Sequence, residues 1–156
     1  MNLTQKEKII LKELITYETL CAEKYQKYSY EAEHKELKSL FQQICQIEKN
    51  HCDLLIQMNN GILTYNSYNN VLIGSPKVLA VEFGVEISPN TSKEDRFLCL
   101  DALATEKYMS FNYDKNIFDF KEDDVRNLFS RLQREEQEHG KKIIDYMYQN
   151  GMHAIK

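Results

Sequence analysis

The chain has 156 residues, 42% apolar and 28% charged, with a net charge of −4, two prolines and five glycines. That length suits one domain with a genuine hydrophobic core, and Lys and Arg are dispersed, so no basic face gathers the charge that nucleic acid requires. No apolar run approaches the ~18 residues of a membrane helix, and the N-terminus MNLTQKEKIILKEL lacks the apolar stretch of a classical signal peptide.

Residues 4 to about 33 are expected to form the first helix. Thr4 and Glu7 have the spacing of a capping box, and the apolar stripe runs through Ile10, Leu11, Leu14, Cys21, Ala22, Tyr25, Tyr28 and Ala32. After a tight turn near His34, a second helix is predicted from about 35 to 59. Its stripe is Leu37, Leu40, Phe41, Ile44, Ile47, Leu54, Leu55 and Met58, and Asn59-Asn60-Gly61 closes it.

Residues 61 to 91 collect glycine, proline and asparagine and read as a connection, with one short helix around Pro76 to Phe83. The third helix is expected over 92–117, with Ser92 as N-cap and Asp95 three residues on. After a break at Phe118-Asp119-Phe120 the fourth spans about 122–149 and ends at Asn150-Gly151. Two helical hairpins joined by a long crossover, in a single all-α domain, give the ferritin-like antiparallel four-helix bundle. A helix of ~25 residues is ~37 Å long, which a connection of this length spans easily.

The sequence repeats itself at an offset of 88 residues. Leu40-Phe41 falls on Leu128-Phe129, Glu48 on Glu136, His51 on His139, Glu18 on Glu106 and Tyr25 on Tyr113. Chemistry enters where this repeat interrupts the apolar stripes. Glu48 and His51 lie between Ile44 and Leu54, and Glu136 and His139 between Leu132 and Ile143. Glu18 sits between Leu14 and Cys21, and Glu106 between Leu103 and Met109. Residues i and i+3 share a helix face, so each Glu-x-x-His offers a carboxylate and an imidazole to one place.

Four carboxylates in a core are very costly unless compensated. Two divalent cations balance them while the imidazoles stay neutral. A Glu from each of two helices plus a Glu-x-x-His from each of the others is the donor set of ferritin-like di-iron and di-manganese proteins. The expected metal ligands are therefore Glu18, Glu48, His51, Glu106, Glu136 and His139, with Glu48 and Glu136 bridging. The cofactor is two metal ions, iron first, with manganese and zinc as alternatives.

Glu23 competes with Glu18, because Glu23-Lys24-Tyr25 resembles Glu106-Lys107-Tyr108; helix phase favours Glu18. Glu135 and Glu138 are expected to face solvent, as are His34 and His153. Tyr25 and Tyr113 fall near the metal layer, either as core packing or as redox-active or hydrogen-bonding neighbours of the ligands. Cys21, Cys45, Cys52 and Cys99 form no C-x-x-C pair and read as free thiols in a reducing compartment, with a thiolate metal site as the minor alternative.

The wording LTQKEK, ELITYETLCAEKYQKYSYEAEHKELKSLFQQI, TEKYMSFNYDKNIFDF and RNLFSRLQREEQEHGKKIIDYMYQNGMH resembles the coat F domain proteins of endospore-forming bacteria. That resemblance implies a ferritin-like fold and a place in the spore coat or the cytoplasm of a spore former, among coat proteins as partners. Similarity to rubrerythrin-like and ferritin-like proteins further implies di-iron oxidase or peroxidase chemistry, with electrons from an external donor because rubredoxin-type cysteine pairs are lacking. The alternative is a structural coat protein whose metal layer only stabilises the bundle. A homo-oligomer is expected, a dimer first, with neither nucleic acid nor membrane as partner.

Overall fold

The structure, a computed structural model, describes residues 2–62 and 92–152. Among the described residues there are four long helices: α1 Gln5–Glu31, α2 Lys35–Asn59, α3 Lys93–Asn116 and α4 Asp123–Gln149, with a 3-10 turn at Ile117–Asp119 before α4. Their ends fall within two residues of the expected ones. The connection 63–91, including the short helix expected at Pro76 to Phe83, lies outside the described residues.

Local chemistry sets the ends. The capping box forms as expected: Glu7 N–H donates to Thr4 Oγ1 at 3.2 Å, and Thr4 N–H donates to Glu7 Oε2 at 2.7 Å. At α3, Asp95 N–H donates to Ser92 Oγ at 3.1 Å. The Asp95 carboxylate also reaches further, accepting from the backbone N–H groups of Glu33 and His34, at 2.8 and 3.0 Å. It thereby fixes the α1–α2 turn. The repeat extends to this feature: Glu7, 88 positions before Asp95, accepts from Lys121 N–H at 3.4 Å, and Lys121 is the counterpart of Glu33. At the C-terminal ends of α2 and α4, Gly61 and Gly151 take φ of 71° and 64°. That left-handed turn lets Ile62 N–H and Met152 N–H reach back to Gln57 and Met147 carbonyls.

Cross-helix contacts fix the topology. Glu33 meets Asp95, Tyr28 meets Asp101 and Lys6 meets Asp119, so α1 and α3 are antiparallel. His51 meets Glu136 and Glu48 meets His139, so α2 and α4 are antiparallel too. Since the short α1–α2 turn also reverses the chain, α2 and α3 run parallel, which requires a connection along the bundle's length. The chain is an all-α four-helix bundle.

Its core is divided. One apolar cluster gathers Leu11, Leu14, Leu55, Met58, Leu128 and Phe129; the other gathers Leu37, Leu40, Phe41, Ile44, Ile143 and Tyr146. Burying each such side chain contributes roughly 1.5–3 kcal/mol. Between the two clusters lies a polar layer, and all six predicted ligands are in it.

Candidate metal centre

Glu18, Glu48, His51, Glu106, Glu136 and His139 are each at most 2% exposed. They form two groups whose ligand atoms lie within 4.8 Å of one another: Glu18, Glu48, His51 and Glu136 in one, Glu48, Glu106, Glu136 and His139 in the other. Glu48 and Glu136 belong to both. Glu18 and Glu106 each belong to one. Glu23 is exposed on α1 and takes no part.

The pseudo-symmetry holds at atomic detail. His51 Nδ1 lies 3.2 Å from Glu48 Oε2, 3.1 Å from Glu136 Oε1 and 3.7 Å from Glu18 Oε1. His139 Nδ1 lies 3.2 Å from Glu48 Oε1, 3.3 Å from Glu106 Oε2 and 3.7 Å from Glu136 Oε2. The two rings stack with centroids 5.8 Å apart. Around an ion with bonds of about 2.1 Å, neighbouring ligand atoms are separated by about 3.0–3.4 Å. The observed spacings are centred on that range.

These atoms surround common points, with each Nδ1 in ion-pair range of the facing carboxylates. Eight buried side-chain atoms of these six residues lack a hydrogen-bond partner: Glu18 Oε2, both oxygens of Glu48 and of Glu136, Glu106 Oε2, and Nδ1 of both histidines. An orphaned buried polar atom costs about 1–3 kcal/mol, more when charged. A cation at each point removes that cost, so the donor set fits metal.

Electrostatics agrees. Burial, then the charges of Glu136 and Glu48, push Glu18 and Glu106 well above the usual carboxylate range. Burial acts upward on Glu48 and Glu136 as well, but the facing imidazoles overcome it and hold both low. For the histidines burial acts downward; Glu18 beside His51 and Glu106 beside His139 outweigh it and raise both. Without cations the layer keeps itself tolerable by binding protons.

Residues 94–156 match the family model of the Coat F domain. The match covers the second hairpin alone. No curated protein and no solved structure matches the chain.

The Coat F segment comprises nearly all of α3, the 3-10 turn and α4, and supplies Glu106, Glu136 and His139. The first hairpin supplies the other three, so each half of the layer takes residues from both hairpins. Tyr113 of the Coat F segment donates its O–H to Glu18, and Tyr25 of α1 donates to Glu106. The two tyrosines thus cross between hairpins and hold these carboxylates. Burial, then those carboxylates, raise both phenols well above their usual value, so they remain O–H donors.

Glu135 corrects the sequence expectation. It does not face solvent but is half-buried: its Oε2 lies 2.9 Å from His51 Nε2, and its Oε1 accepts from Arg131 Nε at 2.6 Å. Burial alone would raise this carboxyl, and the His51 contact holds it low. Glu138 pairs with Arg134 on the outer face, as expected. His34 is half-buried rather than a surface residue, its ring 6.2 Å from that of Tyr146; His153 lies outside the described residues. All four cysteines are free thiols, three of them buried.

The repeat also breaks at two places around the layer. Glu135 has Ile47 as its counterpart 88 positions earlier, and Gly140 has Cys52. A glycine inside a helix is less favourable than alanine by about 0.5–1 kcal/mol. At Gly140 a Cβ would meet Leu103 Cδ1 at 3.5 Å and Glu106 Cβ at 3.7 Å, both ordinary contacts. Helix packing therefore does not demand the glycine.

Proposed function

We propose that the bundle is a ferritin-like di-metal protein of the spore coat F family. Glu18, Glu48, His51, Glu106, Glu136 and His139 hold two divalent ions, iron first, with manganese or zinc as alternatives. The observation that carries this reading is the set of eight orphaned ligand atoms in one buried layer, grouped around two points that share Glu48 and Glu136. Four protein side chains at each point leave coordination positions free on an ion that takes six. That favours reaction with a small oxidant, as an oxidase or peroxidase. Bound iron would supply the electron exchange. Glu18 and Glu106, held by the two tyrosines, would keep the pair in place, and the apolar clusters on either side would exclude bulk water.

The test is elemental analysis of protein purified without added metal and then offered Fe(II), Mn(II) or Zn(II). Two ions per chain are expected, and Glu48→Ala should lose both because Glu48 belongs to both groups. A wild-type chain that takes up none of the three sinks the reading. Peroxide added to the Fe(II)-loaded protein should then be consumed with turnover when a reductant is supplied, since the donor is external.

The near-complete burial of all six residues favours a second reading, a coat protein in which the ions serve stability alone. It expects chelation to lower the melting temperature sharply while peroxide goes unconsumed. The Coat F domain supports association with the spore coat under either reading. Among the described residues no helix is long and apolar enough to cross a membrane.

A further inference from the structure

The two halves of the metal layer have the same ligands but different surroundings. On the outer face of the second hairpin, a groove of about 460 Å³ runs between α3 and α4. Leu103, Phe111 and Ile144 give it apolar walls, and its inner end reaches Glu106 and Glu136 beside Gly140. Gly140 lines the groove without a side chain, and a Cβ there would come into ordinary contact with Leu103 and with Glu106 of the half-site of Glu106 and His139.

On the first hairpin the corresponding place is filled. Cys52 stands where Gly140 does and is half-buried, with its Sγ 3.6 Å from Thr19 Oγ1 on the neighbouring helix. Thr19 is in turn the counterpart of Lys107, which lines the groove. Cys52 and Thr19 thus bridge α1 to α2 over the half-site of Glu18 and His51. Behind that half-site, Glu135 and Arg131 hold His51 from α4, whereas Ile47 and Gln43 occupy their repeat positions.

We propose that small molecules reach the centre from the α3–α4 side, past Gly140, so that the half-site of Glu106 and His139 exchanges external ligands and that of Glu18 and His51 is closed. This rests on the metal-binding reading above. Gly140 is then a residue that determines access. A mid-helix glycine is unfavourable for the helix, its Cβ position is sterically free, and the groove ends there. The class of ligand follows from the lining: an apolar wall beside buried carboxylates favours neutral molecules of two or three heavy atoms.

The probe is nitric oxide, mixed by stopped flow with Fe(II)-loaded protein whose metal content has first been measured. Gly140→Leu fills the groove at its floor and suits a helix; Ile144→Trp fills it from the other wall and leaves Gly140 in place. Both should keep two ions per chain and slow nitric oxide association at least tenfold, with Gly140→Ala falling between them and wild type. Cys52→Ala should leave the rate within about twofold of wild type, as expected for a face that carries no traffic. Unchanged rates in both filled variants overturn the proposal, and so does a tenfold acceleration in Cys52→Ala, which would mean that the other face gates entry. If the wild-type chain binds no metal, the metal-binding reading fails and this one with it, an outcome the metal measurement separates from an unchanged rate.

Discussion

His51 and Glu135 sit on different helices, and Glu135 Oε2 accepts from His51 Nε2 at 2.9 Å. That bond orients the ring: with a proton held on Nε2, His51 can offer the Nδ1 lone pair to an ion at the point shared with Glu18, Glu48 and Glu136. A carboxylate behind a metal-binding imidazole fixes its orientation and raises its basicity. Here it does so in only one half of a repeated site.

Glu135→Ala should therefore weaken one metal position more than the other. Loss of such a partner commonly costs 10–100-fold in metal affinity. Competitive chelator titration should resolve one site weakened in that range and a second near its wild-type affinity. Glu135→Gln keeps a carbonyl acceptor and should fall between. Equal weakening of both sites would mean that His51 is not selectively supported by Glu135.

Tyr25 and Tyr113 lend themselves to a paired comparison. Each donates its O–H to Glu106 or Glu18 of the opposite hairpin, and each is almost fully buried. Replacement by Phe leaves a buried oxygen unpartnered and should cost roughly 1–3 kcal/mol in the metal-free protein, read by chemical denaturation. The two variants should be nearly equal, because each ring packs on the counterpart phenylalanine, Phe41 or Phe129, and bonds the counterpart glutamate. In an ultraviolet titration of the folded protein, Tyr25 and Tyr113 should stay protonated well beyond the usual phenol range, together with Tyr17 and Tyr28, whose hydroxyls donate to Glu13 and Asp101.

The six-residue layer was legible in the sequence because each member interrupts an apolar stripe at helical spacing, and because the interruption occurs twice. Glu18 could be chosen over Glu23 by phase alone, since about 100° per residue places Glu18, not Glu23, under Leu14 and Cys21. Glu135 was not legible by that rule. It is one residue before an inward ligand, on the flank of α4, where a charged side chain normally reaches solvent; what buries it is His51 arriving from α2. The available signal was the break in the repeat, a carboxylate where the first hairpin has Ile47. Asp95 shows the same limit. Local spacing marks it as part of a cap, and only the packing of α3 against the α1–α2 turn shows where its carboxylate goes.

Asp95→Ala should accordingly do more than weaken a helix start. The carboxylate is fully buried and accepts from two backbone N–H groups of another segment. Removing it leaves both donors without this partner, at roughly 1–3 kcal/mol each before relaxation. A loss well above the ~1 kcal/mol of an ordinary N-cap is expected from denaturant unfolding. Ser92→Ala, which removes the cap alone, should cost only the smaller amount. Equal losses in the two variants would show that the cross-link to Glu33 and His34 contributes nothing.

Metal and protons should compete for the same layer, and the directions can be assigned group by group. In the metal-free fold Glu18 and Glu106 bind protons more tightly than in the unfolded chain, as do His51 and His139. The contribution of the two glutamates is full below their ordinary value of 4.5, and that of the histidines below 6.5. Both are lost as pH rises through the raised values of the folded state. Glu48 and Glu136 act oppositely: their contribution is present above 4.5 and lost as pH falls through their lowered values. The metal-free protein should therefore be most stable in mildly acidic solution, with a melting temperature that declines from about pH 5 to pH 8. Divalent ions replace those protons, so the metal-loaded protein should show the reverse trend over the same interval, with protons released on binding. Thermal melts of both forms across that range, with proton release followed in a weakly buffered dye assay, test this directly. Parallel curves for the two forms would mean that the ions and the protons do not share the layer.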